Sequence, residues 1–413
     1  MEKVFITGRG LVTPLGNGLA ANEAALRSGA SGIVRVPEFI ENGLDSLVGG
    51  MADENPPLGD LVDRKTLRYC PPGATMSAFA TQEALAEAGL SREELAGRRI
   101  ALIGGTATGN NREIFNEAFK FTESGRRLRV VSPFSVPRVM PSSAISNLSL
   151  IFGIKGETYD ISAACASGAV SIIVGTRLIR SGMYDMVIAG GAEQLDWVTA
   201  LGFNAIRALS RKYNDDPTRA SRPFDRGRDG FVLAGGAGYV VLESERSVKA
   251  RGARPISEIM GVASNSNGID MVVPDAASCA EVMMESLKDA GLSPADIGYI
   301  NTHGTATPVG DPVEMNAIRS VFGSTPAINS TKSQTGHMVG ATGAAEIIFS
   351  SMMLEKHFLS RSVNLEDPEP DFSWADLLTE YREGTNVRYA LSNSFAFGGS
   401  NASVVIGDCG TGM

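Results

Sequence analysis

The chain repeats itself, and the repeat fixes the order of its elements twice over. Residues 83–109, EALAEAGLSREELAGRRIALIGGTATG, align with residues 285–308, ESLKDAGLSPADIGYINTHGTATP. Each reads as a helix, an A-G-L-S turn, an acidic helix start, a strand, and then G-T-A-T. Two weaker echoes keep the same order: YDISAACASGA with AINSTKSQTGH, and DMVIAGGAE with YALSNSFAFGG. A duplicated unit is therefore expected, with halves at 1–254 and 255–413.

The unit is α/β. KVFITGRGLVT, RRIALIGG, YDMVIAGGAE and AGYVVLE are β-branched runs ending in glycine, as buried strands do. ATMSAFATQEALAEAGL and SGAVSIIVGTRLIRSG carry apolar residues three and four apart and predict helices. In a duplicated α/β fold, loops at matching strand ends face one another across a shared cleft. Those loops carry Cys165 in the first half and NTHGTATPVGD, TKSQTGH and SNSFAFGGSN in the second.

Cys165 precedes a predicted helix. A thiol there is expected to feel free N–H groups and the positive helix end, which lower its pKa. The other cysteines, Cys70, Cys279 and Cys409, form no CxxC, so neither a disulfide framework nor a zinc site is expected. Of three histidines, His303 and His337 sit in small, polar loops, whereas His357 in MLEKHFLS reads as a helix-end residue. One thiol and two histidines in matching loops suit nucleophilic catalysis. Phe395 and Phe397 either pack in the core or, with the glycine pair beside them, present N–H groups to an oxyanion. Lys332 and Glu346 flank His337 and would pair in a closed cleft. A net charge of −9 argues against a nucleic-acid partner, and no run of about 20 apolar residues predicts a membrane span. With no signal-like N-terminus, a cytoplasmic protein is expected.

Together AACASGA, NTHGTATPVGD, TKSQTGH and SNSFAFGGSN resemble the β-ketoacyl-acyl-carrier-protein synthases, condensing enzymes of the thiolase superfamily. LSRKYNDDPTRASRPFDRGRDGFVLAGGAG and VDRKTLR are most similar to the type I enzyme, since type II and polyketide synthases carry Gly-Glu-Gly where this chain has Ala234, Gly235 and Gly236. The resemblance implies a five-layered α-β-α-β-α fold, a homodimer, and a Cys165, His303, His337 triad supported by Lys332 and Glu346. It implies Thr305 and Thr307 as pantetheine-binding residues, and Phe397 as the gate whose N–H joins that of Cys165 in the oxyanion hole. Arg64, Lys65, Arg68, Arg126, Arg127 and Arg129 match positions where an acidic acyl carrier protein docks. The implied reaction is decarboxylative condensation of an acyl chain on Cys165 with malonyl-acyl-carrier protein, an elongation step of type II fatty-acid synthesis. No cofactor is required beyond the carrier's phosphopantetheine; a structural monovalent cation near Asn301 and Glu346 is left open.

Three positions depart from the family pattern: Ala396 for Gly, Ser400 for Thr and Gln334 for Met. A Cβ at 396 is expected to restrict positive φ and alter the gate. A polyketide or aryl-polyene ketosynthase is the alternative reading. A chain-length-factor-like partner would lack the cysteine, and a thiolase would carry a second cysteine in the last loop.

Overall fold

The computed structural model describes residues 2–95, 97–323 and 326–410. Ten principal strands follow in two sets of five. The first set is β1 (Val4–Thr13), β2 (Ile100–Gly105), β3 (Thr158–Ile161), β4 (Met186–Glu193) and β5 (Gly236–Ser244). The second is β6 (Ser257–Ser266), β7 (Tyr299–Asn301), β8 (Ala327–Asn329), β9 (Tyr389–Phe395) and β10 (Ser400–Asp408). Across the sheet the first set runs β3-β2-β4-β5-β1 and the second β8-β7-β9-β10-β6, the same order shifted by five. A short helix, Glu245–Arg251, lies between the sets. They meet through one short pairing, Phe5 with Glu258 and Ile6 with Ser257.

The helices repeat with the strands: α1 (Pro72–Glu87), α2 (Asn111–Glu123), α3 (Ser143–Phe152), α4 (Ser167–Arg180), α5 (Trp197–Ala205), α6 (Ala276–Ala290), α7 (Gly310–Phe322) and α8 (Thr342–Glu355). α1 and α3 cover the outer face of the first set of strands, and α6 and α7 that of the second. α4 and α8 pack on each other between the two sheets, giving five layers, α-β-α-β-α. Every residue of α8 from Thr342 to Leu354 is buried, which is why TGAAEIIFSSMML has no polar stripe.

Glycine sets the closeness of the outer layers. A Cβ on Gly8 of β1 would stand 1.9 Å from the Ala84 carbonyl oxygen of α1, and one on Gly261 of β6 2.1 Å from that of Ser286 in α6. Any side chain at either position would push helix from sheet. The layering leaves the loops after β2, β3, β7, β8 and β9 to build the site.

Candidate active site

Each reactive side chain leaves a strand through a strained turn. Ala164, Ala306 and Val339 have φ of 46°, 67° and 44°, and they stand beside or close after Cys165, His303 and His337. Left-handed backbone at non-glycine residues costs on the order of 1–2 kcal/mol each and persists only where the surroundings over-determine it. At Cys165 the surroundings are the Ser167 hydroxyl, which accepts the Ala163 N–H (2.9 Å) and donates to the Ala164 carbonyl (2.7 Å). His337 is fixed by strand-like pairing on both sides, its N–H to the Val232 carbonyl (2.7 Å) and its carbonyl to the Ala234 N–H (2.9 Å). The His303 and Gly304 N–H groups donate to the two oxygens of Glu314 in α7, at 2.8 and 2.7 Å. Glu314 is fully enclosed, and burial pushes its carboxyl up to about 7.

These loops place Cys165, His303 and His337 around one cleft with a cavity volume of about 250 Å³. Phe203, Phe231, Phe395 and Phe397 form its apolar walls, with Thr305 and Thr307 toward the second half. The imidazoles of His303 and His337 stand edge to face, ring centres 5.3 Å apart. Burial and the Lys332 ammonium hold both well below the usual imidazole range, His337 adding to the effect on His303, so both are neutral. His337 Nδ1 lies 3.0 Å from the Thr342 hydroxyl at the start of α8. At the positive end of a helix the nitrogen serves as acceptor, which leaves the proton on Nε2. That Nε2 and Nδ1 of His303 are buried and without a hydrogen-bond partner among the described residues.

The thiol does not behave as its place before a helix suggests. Burial pushes Cys165 up to about 12, against the lowering effects of Lys332 and of the Phe397 and Cys165 backbone N–H groups. The expected depression by the helix end is thus outweighed by desolvation of the thiolate. Those two N–H groups come from different halves of the chain, and Cys165 and Phe397 line the same cleft.

Lys332 and Glu346 form an ion pair of 2.7 Å, each side chain 1% exposed. Thr305 and Thr307 hydroxyls lie 3.2 Å apart at the cleft wall. Phe395 is buried at the end of β9, so its core and cleft roles coexist. Ala396 corrects an expectation: its φ is −125°, extended backbone that a Cβ tolerates, and the positive φ falls on Gly398 and Gly399 instead. Gln334 donates through its amide to the Ala25 and Ala30 carbonyls, both at 2.8 Å, and so ties the His337 loop to the N-terminal helix Leu19–Ser28. Ser400 opens β10, its carbonyl accepting the Ala396 N–H at 2.9 Å.

Arg64, Lys65 and Arg68 and the run Arg126, Arg127 and Arg129 are exposed, outside the cleft lining. The Arg68 guanidinium lies over the Phe134 ring, 5.8 Å from its centre. Sequence reasoning missed Thr342 and Glu314. Both act on groups five to eleven residues away across a turn, a spacing no motif marks.

Residues 1–247 match the family model "Beta-ketoacyl synthase, N-terminal domain" and residues 256–366 "Beta-ketoacyl synthase, C-terminal domain". Among curated relatives, 3-oxoacyl-[acyl-carrier-protein] synthase 1 of Haemophilus influenzae is 39% identical over 408 residues, 98% of each chain. A β-ketoacyl synthase from Burkholderia phymatum superposes with a TM-score of 0.93 at 34% identity, covering 99% of this chain and 100% of its own. A ketosynthase solved in complex with a type II polyketide acyl-carrier protein gives 0.90 at 28%, covering 98% of this chain and 99% of its own.

Proposed function

Because the chain belongs to the β-ketoacyl synthase family, we infer that its cleft performs the decarboxylative condensation that extends an acyl chain by two carbons in type II fatty-acid synthesis. The observation that carries the assignment of roles is the gathering of Cys165, Phe397, His303 and His337 on one cleft, the two imidazoles neutral and each with a ring nitrogen unpartnered among the described residues.

Each role follows from that arrangement. The Cys165 sulfur attacks the thioester of an acyl-carrier protein, and the carrier thiol leaves with the proton. The Phe397 and Cys165 N–H groups stabilise the tetrahedral oxyanion, where electrostatic stabilisation is largest. The acyl chain then rests on Cys165, and the phosphopantetheine arm of malonyl-carrier protein lies along Thr305 and Thr307. Loss of carbon dioxide leaves an enolate, whose oxygen takes hydrogen bonds from His303 and His337. The carbanion attacks the acyl carbonyl, the carbon–sulfur bond breaks, and 3-ketoacyl-carrier protein departs. Decarboxylation drives bond formation, so no nucleotide is called for.

The carrier protein is acidic, and the exposed Arg64, Lys65, Arg68, Arg126, Arg127 and Arg129 supply complementary charge on a chain of net −9. A homodimer accounts for α2, which has no buried residue within this chain and exposes Ile114, Phe115 and Phe119. β3, at the sheet edge with Tyr159 exposed, offers the partner a strand. Asn301 Oδ1 and Glu346 Oε2, buried and without hydrogen-bond partners among the described residues, are the oxygen donors a monovalent cation would take. No helix among the described residues is long and apolar enough to cross a membrane, which suits a cytoplasmic enzyme.

The test is incubation with a series of acyl-carrier proteins and malonyl-carrier protein, product length read by mass spectrometry. Folded protein that acylates Cys165 yet condenses no chain refutes the assignment.

A further inference from the structure

The two G-T-A-T loops of the repeat are each fastened by a buried carboxylate. In the second half Glu314 takes the His303 and Gly304 N–H groups and Asp311 takes that of Ala306 at 3.0 Å. In the first half the fastener is Glu193, the last residue of β4 and only 2% exposed. Its Oε1 accepts the Thr108 hydroxyl (2.7 Å), the Thr106 hydroxyl (3.2 Å) and the Thr108 N–H (3.2 Å). Its Oε2 accepts the Ala107 N–H (2.8 Å) and, from the other half of the chain, the Gly340 N–H (3.1 Å).

Both ends of this clasp lead to reacting groups. On one side the Thr106 carbonyl accepts the Ser167 hydroxyl (3.3 Å), the same hydroxyl that shapes the turn before Cys165. On the other, Gly340 lies three residues after His337, past the strained Val339. The Gly340 carbonyl rests against the start of the nucleophile helix so closely that a Cβ on Gly168 would stand 2.8 Å from it. A Cβ on Gly340 would itself stand 2.5 Å from the Ala107 nitrogen and 2.7 Å from Glu193 Oε2. No side chain separates these three backbones, and the carboxylate bonds two of them, at Ala107 and Gly340, to one oxygen.

We propose that Glu193 is a positioning residue of the condensation, an ionised clasp that holds the Cys165 turn and the His337 loop in register across the two halves. The proposal rests on the function assigned above. All five donors point at oxygens, and only a carboxylate offers acceptors on both; glutamine would turn an NH₂ group toward N–H donors. Burial pushes the Glu193 carboxyl up, and hydrogen bonds from Thr108, Ala107 and Gly340 oppose it. The charged and titratable groups around the clasp are Cys165, whose thiol Glu193 raises and Lys332 lowers; His303 and His337 across the cleft; and Asp160, pushed up to about 7 by burial and then by Glu193.

Two readouts separate positioning from mere stability. Glu193→Gln lowers kcat for condensation about tenfold or more with KM for malonyl-carrier protein nearly unchanged, as misplacement of reacting groups does. It also moves the pH midpoint of Cys165 alkylation by iodoacetamide downward, because an anion near the thiolate is gone. Glu193→Asp keeps the charge but not the reach: its alkylation midpoint stays parental while kcat falls. Alkylation needs no carrier protein, so it tests the clasp even where condensation is not observed. Should both variants fail to fold, Thr108→Val on the half-buried loop removes one bond and lowers kcat about threefold. Parental kcat and parental alkylation midpoint in Glu193→Gln, or parental kcat in Thr108→Val, overturn the proposal.

Discussion

Replacing Lys332 by methionine tests whether the charge pair beneath the site is there for stability or for its field. The pair is 2.7 Å long and each side chain is 1% exposed, with Glu346 also accepting the Thr331 hydroxyl at 3.2 Å. Removing one member of such a pair leaves an uncompensated buried group and costs about 3–5 kcal/mol, whereas replacing both by apolar residues of like volume is near neutral or stabilising. Lys332→Met is therefore expected to lose that amount in urea unfolding at pH 7 and fixed salt, and Lys332→Met/Glu346→Leu to regain most of it. Catalysis should not follow stability. The Lys332 charge lowers the Cys165 thiol and holds both histidines down, so single and double variants alike should alkylate Cys165 only at higher pH than the parent. A loss below about 1 kcal/mol in the single variant would refute a desolvated pair. Recovery of the parental alkylation midpoint in the double variant would refute the field.

The remaining expectations concern the nucleophile, the histidines and Glu314. Cys165→Gln should abolish elongation while malonyl-carrier protein is still decarboxylated; surviving elongation would move the nucleophile elsewhere. In that variant the decarboxylation rate should show no inflection near pH 6.5, because His303 and His337 lie well below the ordinary value; a rate halved at pH 6.5 would mean imidazoles that titrate normally. Glu314 is raised from 4.5 to about 7, so the folded state binds its proton more tightly than the unfolded. Its contribution is present in full below pH 4.5 and is lost as pH rises through about 7, a fall of up to about 3 kcal/mol. Urea unfolding across pH 5–8 should show this slope, shallower in Glu314→Gln; an identical slope in the variant would refute it.

What could be read before the fold was known depended on whether the information was local. The repeat was legible because G-T-A-T after a strand is the same local event in both halves, and it led directly to Cys165 and His337 at matching turns after β3 and β8. The Lys332–Glu346 pair was legible through the closed cleft it required. The Cys165 titration was not, because a helix N-terminus is visible in sequence while the desolvation that overrides it depends on walls contributed by Phe203, Phe231 and Phe397. Ala396 misled for a related reason: the gate turn takes its left-handed residues at Gly398 and Gly399, and sequence alone does not say which member of a turn carries positive φ. Glu193 and Glu314 left no motif, since a carboxylate that collects backbone N–H groups from distant segments has no preferred spacing.

Burial first, and the charges that the duplicated fold gathers second, explain why the two histidines are neutral rather than cationic. Cys165 and His337 occupy corresponding turns, each before a central helix, so the positive starts of α4 and α8 face the same cleft, joined there by Lys332. Those features disfavour a proton on imidazole and favour negative charge in the cleft. A cationic histidine would hold the malonyl carboxylate in the ground state, where binding adds nothing to the rate. A neutral Nε2–H instead interacts most strongly once charge has moved from the carboxylate to the thioester oxygen. In the mechanism proposed above, burial and the Lys332 charge, which keep His303 and His337 unprotonated, would leave both imidazoles as donors to the enolate that forms as carbon dioxide leaves.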